Sequence, residues 1–78
     1  MMSNHDKFWH AIEVVAIRKK MTCSGLARFC GLDATTFNKS KRFSRDGKPR
    51  WLSVGTVDKM LSATGTSLIQ FARFCQRA

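Results

Sequence analysis

The stretch LARFCGLDATTFNKSKRF, residues 26–43, decides how the chain is read. It begins with amphipathic helical spacing, breaks at Gly31, and resumes at once with threonines, an asparagine and a run of lysine and arginine. Leu26, Ala27 and Cys30 form the inward stripe of a helix that Thr22 can start, because its hydroxyl oxygen accepts from backbone N–H groups left open in a first turn. Gly31 ends that helix, since glycine enters the left-handed region without a Cβ clash. Asp33 is then placed to cap a third helix, with Phe37 as its main buried anchor. Ala27 stands four residues before Gly31, where a small side chain lets two helices approach, while Leu32 and Phe37 are placed to pack back onto the leading helix. The spacing predicts a helix-turn-helix over residues 22–43, its second helix held outward.

The flanks extend the same helical pattern. Phe8, Ile12, Val15 and Ala16 give a first helix over roughly residues 5–20 one buried stripe. Ser3, with Asp6 three residues on, is placed to cap it. After Phe43 the apolar period is lost in SRDGKPRWLS, so residues 44–52 are expected to form a basic loop. At most it is a small ribbon turning at Asp46-Gly47, with Pro49 limiting strand pairing and Trp51 pinning the loop to the domain. The remaining two helices occupy about residues 53–77. Ser53 caps one that buries Val54, Val57, Met60 and Leu61 and ends near Gly65. Ser67 and Gln70 have capping-box spacing for the other, whose inward stripe is Leu68, Phe71, Ala72 and Cys75, leaving Ile69 and Phe74 over. One all-α domain, residues 1–78, is expected as a compact bundle of about five helices.

Composition narrows the function. Hydrophobic residues at 44% suffice for one core, and 14 Lys and Arg against 5 Asp and Glu give a net charge of +9, which attracts nucleic acid or an anionic membrane surface. A cationic membrane peptide needs broader apolar faces than these helices have. Cys23, Cys30 and Cys75 form no C-x-x-C pair, so neither a disulfide framework nor a zinc site follows. His5 and His10, five apart, miss the i, i+4 spacing of a helical metal pair. No nucleophile with its base and no paired carboxylates emerge, so an enzyme is not expected, nor a cofactor, a metal or a small-molecule ligand. No apolar run approaches the ~20 residues of a membrane span, and the first residues include polar side chains and His5 where a signal peptide needs an apolar stretch, so none is expected. A soluble cytoplasmic protein is the expectation.

The residues of the central stretch resemble the helix-turn-helix of the lambda-repressor-like (Xre-type) DNA-binding domains. More narrowly, SGLARFCGLDATTFNKSKRF, the basic loop and LSATGTSL look like the N-terminal domain of phage-repressor-type bacterial transcriptional regulators. Many of those continue into a C-terminal serine–lysine self-cleaving domain, so the chain is expected to be such a DNA-binding domain or a free-standing short version. The resemblance implies that Ala34, Thr35, Asn38 and Lys39 face the major groove. Their chemistry suits that role: Asn38 pairs bidentately with adenine, Lys39 donates to guanine O6 or N7, and Ala34 or Thr35 touches a thymine methyl. Thr22, Ser24, Thr36, Lys41, Arg42, Arg45, Lys48 and Arg50 are the expected phosphate contacts. Residues 39–50 alone carry six basic residues and one acid, a net +5 of the total +9. Two positions depart from the family pattern. Cys23 stands where Gln is common, and Ser40 stands where an apolar residue is usual, with Phe43 expected to supply that packing.

The resemblance further implies a homodimer contact near the C-terminal helix, for which Ile69 and Phe74 are the candidates, so that two recognition helices read half-sites about 34 Å apart. The function expected is sequence-specific binding of operator DNA by a bacterial or phage regulator, most simply a repressor. The rival is an antitoxin-like or adaptor module that uses its C-terminal helix on a protein partner.

Overall fold

In the computed structural model, which describes residues 1–78, the chain forms four α-helices: α1 (Asn4–Arg18), α2 (Cys23–Phe29), α3 (Val54–Thr64) and α4 (Leu68–Gln76). Each begins at a hydroxyl cap. Ser3 accepts from the Asp6 N–H while the Asp6 carboxylate accepts from the Ser3 N–H, and Ser67 and Gln70 form the same reciprocal box on α4. Thr22 accepts from the Gly25 N–H and Ser53 from the Thr56 N–H. Gly31 and Gly65 take left-handed φ values of 74° and 66° just beyond the helices they end.

α1 is the beam of the molecule. It packs along α4 and against α2, and α2 in turn touches α3. Its buried face is wider than the expected stripe: His5, Trp9, Ala11, Ile12, Val15 and Ala16 are buried, whereas Phe8 is half-buried. Leu26, Ala27, Phe37, Met60, Leu61, Phe71 and Phe74 complete the core.

Four expectations are corrected here. The third of the five expected helices, the one to start at Asp33, does not form as an α-helix. Residues 34–37 make a tight turn, Asn38 is extended at φ −66° and ψ 151°, and only a short 3₁₀ turn follows at Lys39–Lys41. The cause is local: Asp33 Oδ1 accepts from both the Thr35 N–H (2.8 Å) and the Thr35 hydroxyl (2.6 Å), and the Thr36 hydroxyl donates to the Asp33 carbonyl (2.6 Å). Short polar side chains thus offer the backbone an alternative to helical bonding, and two β-branched residues weaken the helix further. Second, Val54 is 86% exposed and lies outside the core of α3. Third, α4 is rotated from the expected face: Phe71 and Phe74 are buried, while Leu68 and Ala72 are exposed. The two aromatic rings win the core because each has a partner on α1, Phe71 against Phe8 and Phe74 under the Arg18 guanidinium at 5.3 Å. Fourth, Phe43 does not close the end of a recognition helix; its ring meets His5 of α1 at 4.9 Å.

The basic loop does fold back at Asp46-Gly47, where Gly47 has φ 82°. Ser44 N–H donates to the Lys48 carbonyl and Arg50 N–H to the Arg42 carbonyl, both at 2.8 Å. Pairing stays at one antiparallel bridge, Phe43 with Pro49, because Pro49 has no N–H to add to the ladder.

Phe37, 1% exposed, is the buried side chain that fastens the 33–41 turn to the core. Phe37→Ala is expected to lower the unfolding free energy by about 3–5 kcal/mol in urea titration; a loss under about 1 kcal/mol would mean that the turn is not held by this ring.

Candidate functional site

The side chains singled out in the sequence converge on the 33–41 turn and the hairpin that follows it. Thr35, Lys39, Lys41, Arg45, Lys48 and Arg50 are exposed, and Ala34 and Asn38 are half-buried. Two grooves flank the turn. One, of about 410 Å³, joins Asn38 and Lys39 to Thr22 over an apolar floor that includes Ile17 and Phe37. The other, of about 320 Å³, joins Thr35 to Lys41, Arg50 and Trp51. Asn38 and Thr35 therefore do not share one helical face, as a recognition helix would have made them; they stand on opposite sides of a turn.

Hydrogen bonding sorts the remaining candidates. Thr22 accepts from the Gly25 N–H and keeps its own hydroxyl proton for a phosphate oxygen. Thr36 has already given its one proton to the Asp33 carbonyl, so it is withdrawn as a phosphate donor. Ser24, half-buried, lies one residue further along α2 from Cys23.

Arg42 is the largest correction. Its side chain is 19% exposed, bonds Glu13 Oε1 at 2.5 Å and lies 5.4 Å from the Trp9 ring centroid. An arginine committed to a carboxylate and an aromatic face is not free for phosphate; it ties the end of the 3₁₀ turn to α1. Lys48 meets Asp46 at 3.7 Å with both side chains open to solvent, a pair that holds little. Lys39, Lys41, Arg45 and Arg50 have no carboxylate partner. Phe74, 8% exposed, is a core residue and not a dimer contact, whereas Ile69 is 66% exposed.

Two functional side chains escaped the sequence reading. His5 is 6% exposed, and its Nε2 lies 2.8 Å from the Arg42 carbonyl oxygen and 3.0 Å from that of Arg50. Trp9 Nε1 donates to the same Arg50 oxygen at 3.0 Å. The signal available was positional: residues 5 and 9 extend the line of Ile12 and Ala16 towards the N-terminus at helical spacing. Trp51 does pin the hairpin as expected, with its ring 5.1 Å from Phe8 and 5.4 Å from His5, yet it remains 54% exposed.

The titratable groups follow their contacts. The Thr35 hydroxyl, and then the Thr35 N–H, hold the Asp33 carboxyl below the usual carboxylate range. Burial pushes the Cys23 thiol up and Glu13 adds to this, against smaller opposing effects of Arg42 and Lys39, so the thiol stays protonated at neutral pH and is a poor oxidant sensor. No helix is long and apolar enough to cross a membrane. Comparison with protein-family models, curated proteins and solved structures found no match.

Two outcomes are expected. Glu13→Ala strands the Arg42 guanidinium, whose Nε is already buried without a partner, and should cost about 1–3 kcal/mol in thermal denaturation. Because the folded pKa of Asp33 is lowered, its contribution is complete above the ordinary carboxylate range and is lost as pH falls through the folded value. Acid titration of wild type should therefore steepen below about pH 4 relative to Asp33→Asn; identical acid limbs would remove the Asp33 contribution.

Proposed function

We propose that the protein is a sequence-specific double-stranded DNA-binding domain of a bacterial or phage transcriptional regulator, a lambda-repressor-like helix-turn-helix in which a tight turn replaces the recognition helix. The observation that carries this is the company kept by the turn: polar Thr35, Asn38 and Lys39 stand beside exposed Lys41, Arg45, Lys48 and Arg50. The division of labour follows from chemistry. Asn38 and Lys39 present donors to base edges, with Ala34 and Thr35 against a thymine methyl, while Lys41, Arg45, Lys48 and Arg50 and the Thr22 and Ser24 hydroxyls engage phosphates. Binding represses by occupying an operator.

A second reading is favoured by a different surface. Val54 and Leu68, 86 and 72% exposed, line one groove between α3 and α4, and Ile69, the next residue of α4, is 66% exposed, an apolar surface that suits a protein contact. If Ile69 mediates self-association, sedimentation of wild type should be concentration-dependent and that of Ile69→Glu should not. A wild type that sediments as a monomer at every concentration, with no DNA selected, would favour a heterologous protein partner.

Selection from a random duplex pool at near-physiological salt is the direct test, with enriched inverted repeats expected if two copies bind together. Asn38→Ala should relax discrimination among the selected sites by about 1–3 kcal/mol. Lys48→Ala should weaken every sequence alike and reduce the slope of log affinity against log salt by about 0.9. Equal loss of selectivity from both substitutions would contradict the assignment of roles.

A further inference from the structure

We infer that His5 is a positioning residue: it fixes the basic hairpin, residues 42–51, beside the 33–41 turn and so sets how many phosphates the domain reaches. This rests on the DNA-binding reading above.

The hydrogen bonding at the hairpin base assigns the proton. Nε2 of His5 faces two carbonyl oxygens, those of Arg42 (2.8 Å) and Arg50 (3.0 Å). Carbonyls only accept, so Nε2 carries the hydrogen and donates to both. The Trp9 indole N–H then goes to the Arg50 oxygen at 3.0 Å, and its 3.1 Å approach to His5 Nε2 is a contact between two donors and not a bond. The Arg42 oxygen also accepts from the Arg50 N–H, which closes the hairpin. Two ring N–H groups of α1 thus hold both arms at their base.

The ring is gripped from both arms as well. Phe43 on the entering arm stands 4.9 Å from the His5 centroid and Trp51 on the leaving arm 5.4 Å. Beyond this wedge are exposed Arg45 and Lys48 at the tip and Arg50 at the base. Their mutual repulsion opposes closure of the hairpin. A small shift at the anchored base displaces the tip cations by more, because they sit at the far end of the ribbon.

The effect on DNA is separable from folding. Without the His5 donor the Arg42 oxygen keeps the Arg50 N–H and the Arg50 oxygen keeps the Trp9 N–H, so no buried carbonyl is orphaned. His5→Leu fills much of the same space but removes both the donor and the ring between Phe43 and Trp51. His5→Gln restores an N–H that can reach the same oxygens.

The test compares the full-length chain as wild type, His5→Leu and His5→Gln, using duplex DNA of mixed sequence across a range of salt. With four exposed cations on phosphate, wild type should show a slope near −3 to −4, and His5→Leu, left with Lys41, a slope near −1. His5→Gln should return to the wild-type slope. Hydrogen exchange at the Ser44 and Arg50 amides, without DNA, should quicken in His5→Leu and not in His5→Gln. An unchanged slope and unchanged exchange in His5→Leu would overturn the inference. So would a His5→Gln variant as impaired as His5→Leu, since ring packing and not the donor would then be responsible. A wild type without salt-dependent binding but with the expected exchange pattern would overturn the DNA reading and leave the anchor standing.

Discussion

Two N–H groups on one face of α1, His5 Nε2 and Trp9 Nε1, reach the backbone carbonyls of Arg42 and Arg50, and that attachment ties the hairpin carrying Arg45, Lys48 and Arg50 to the body of the molecule. Within the hairpin, the bonds around Ser44 and the Arg50 N–H to Arg42 carbonyl bond work against a proline in one arm and a cluster of like charges. Arg42 doubles the attachment. Its carbonyl takes the His5 and Arg50 N–H groups, while its guanidinium takes Glu13 and the Trp9 face. One cation of the cluster is thereby paired and half-buried against α1.

The turn before the hairpin is shaped by the opposite circumstance, a surplus of local hydrogen-bonding options. Asp33, Thr35 and Thr36 bond one another within four residues, and the backbone leaves helical geometry by Asn38. Phe37 alone drives this segment into the core. A turn anchored by one ring presents its polar side chains to two grooves instead of one, which changes how they meet a ligand without removing them from the surface. Asn38 and Lys39 share the Thr22 side; Thr35 shares the Trp51 side with Lys41 and Arg50.

What was legible in the sequence was local. The Ser3–Asp6 and Ser67–Gln70 boxes, the Thr22 and Ser53 caps and the glycines at 31 and 65 stand as expected because each acts within a few residues of itself. Position on a face was less legible than periodicity. The spacing of α4 permits Phe71 to be joined inward either by Leu68 and Ala72 or by Phe74, and only the packing partners on α1 decide. The role of Asp33 was misjudged because the same carboxylate that starts a helix also caps a turn, and two following threonines tip the balance. His5 and Arg42 were illegible for a different reason. Their partners lie 37, 45 and 29 residues away, and two of those three are backbone carbonyls, which carry no signature in any side-chain pattern. Among six basic residues of identical formal charge, nothing local distinguishes the one that is buried.

The acids complete the electrostatic picture. Asp6 caps α1, Asp33 holds its turn, Asp46 bonds Ser44 inside the hairpin, Asp58 accepts from Ser62 along α3, and Glu13 holds Arg42. Four of the five carboxylates are engaged within a few residues of themselves, Glu13 pairs with Arg42, and Asp46 lies 3.7 Å from Lys48 in open solvent. Lys39, Lys41, Arg45 and Arg50 of the 39–50 region are left without a carboxylate partner. Such a cluster disfavours the compact hairpin by self-repulsion, and under the proposed DNA binding a polyanion would offset that repulsion, stabilising the fold by mass action to the extent that it prefers the folded arrangement of these charges.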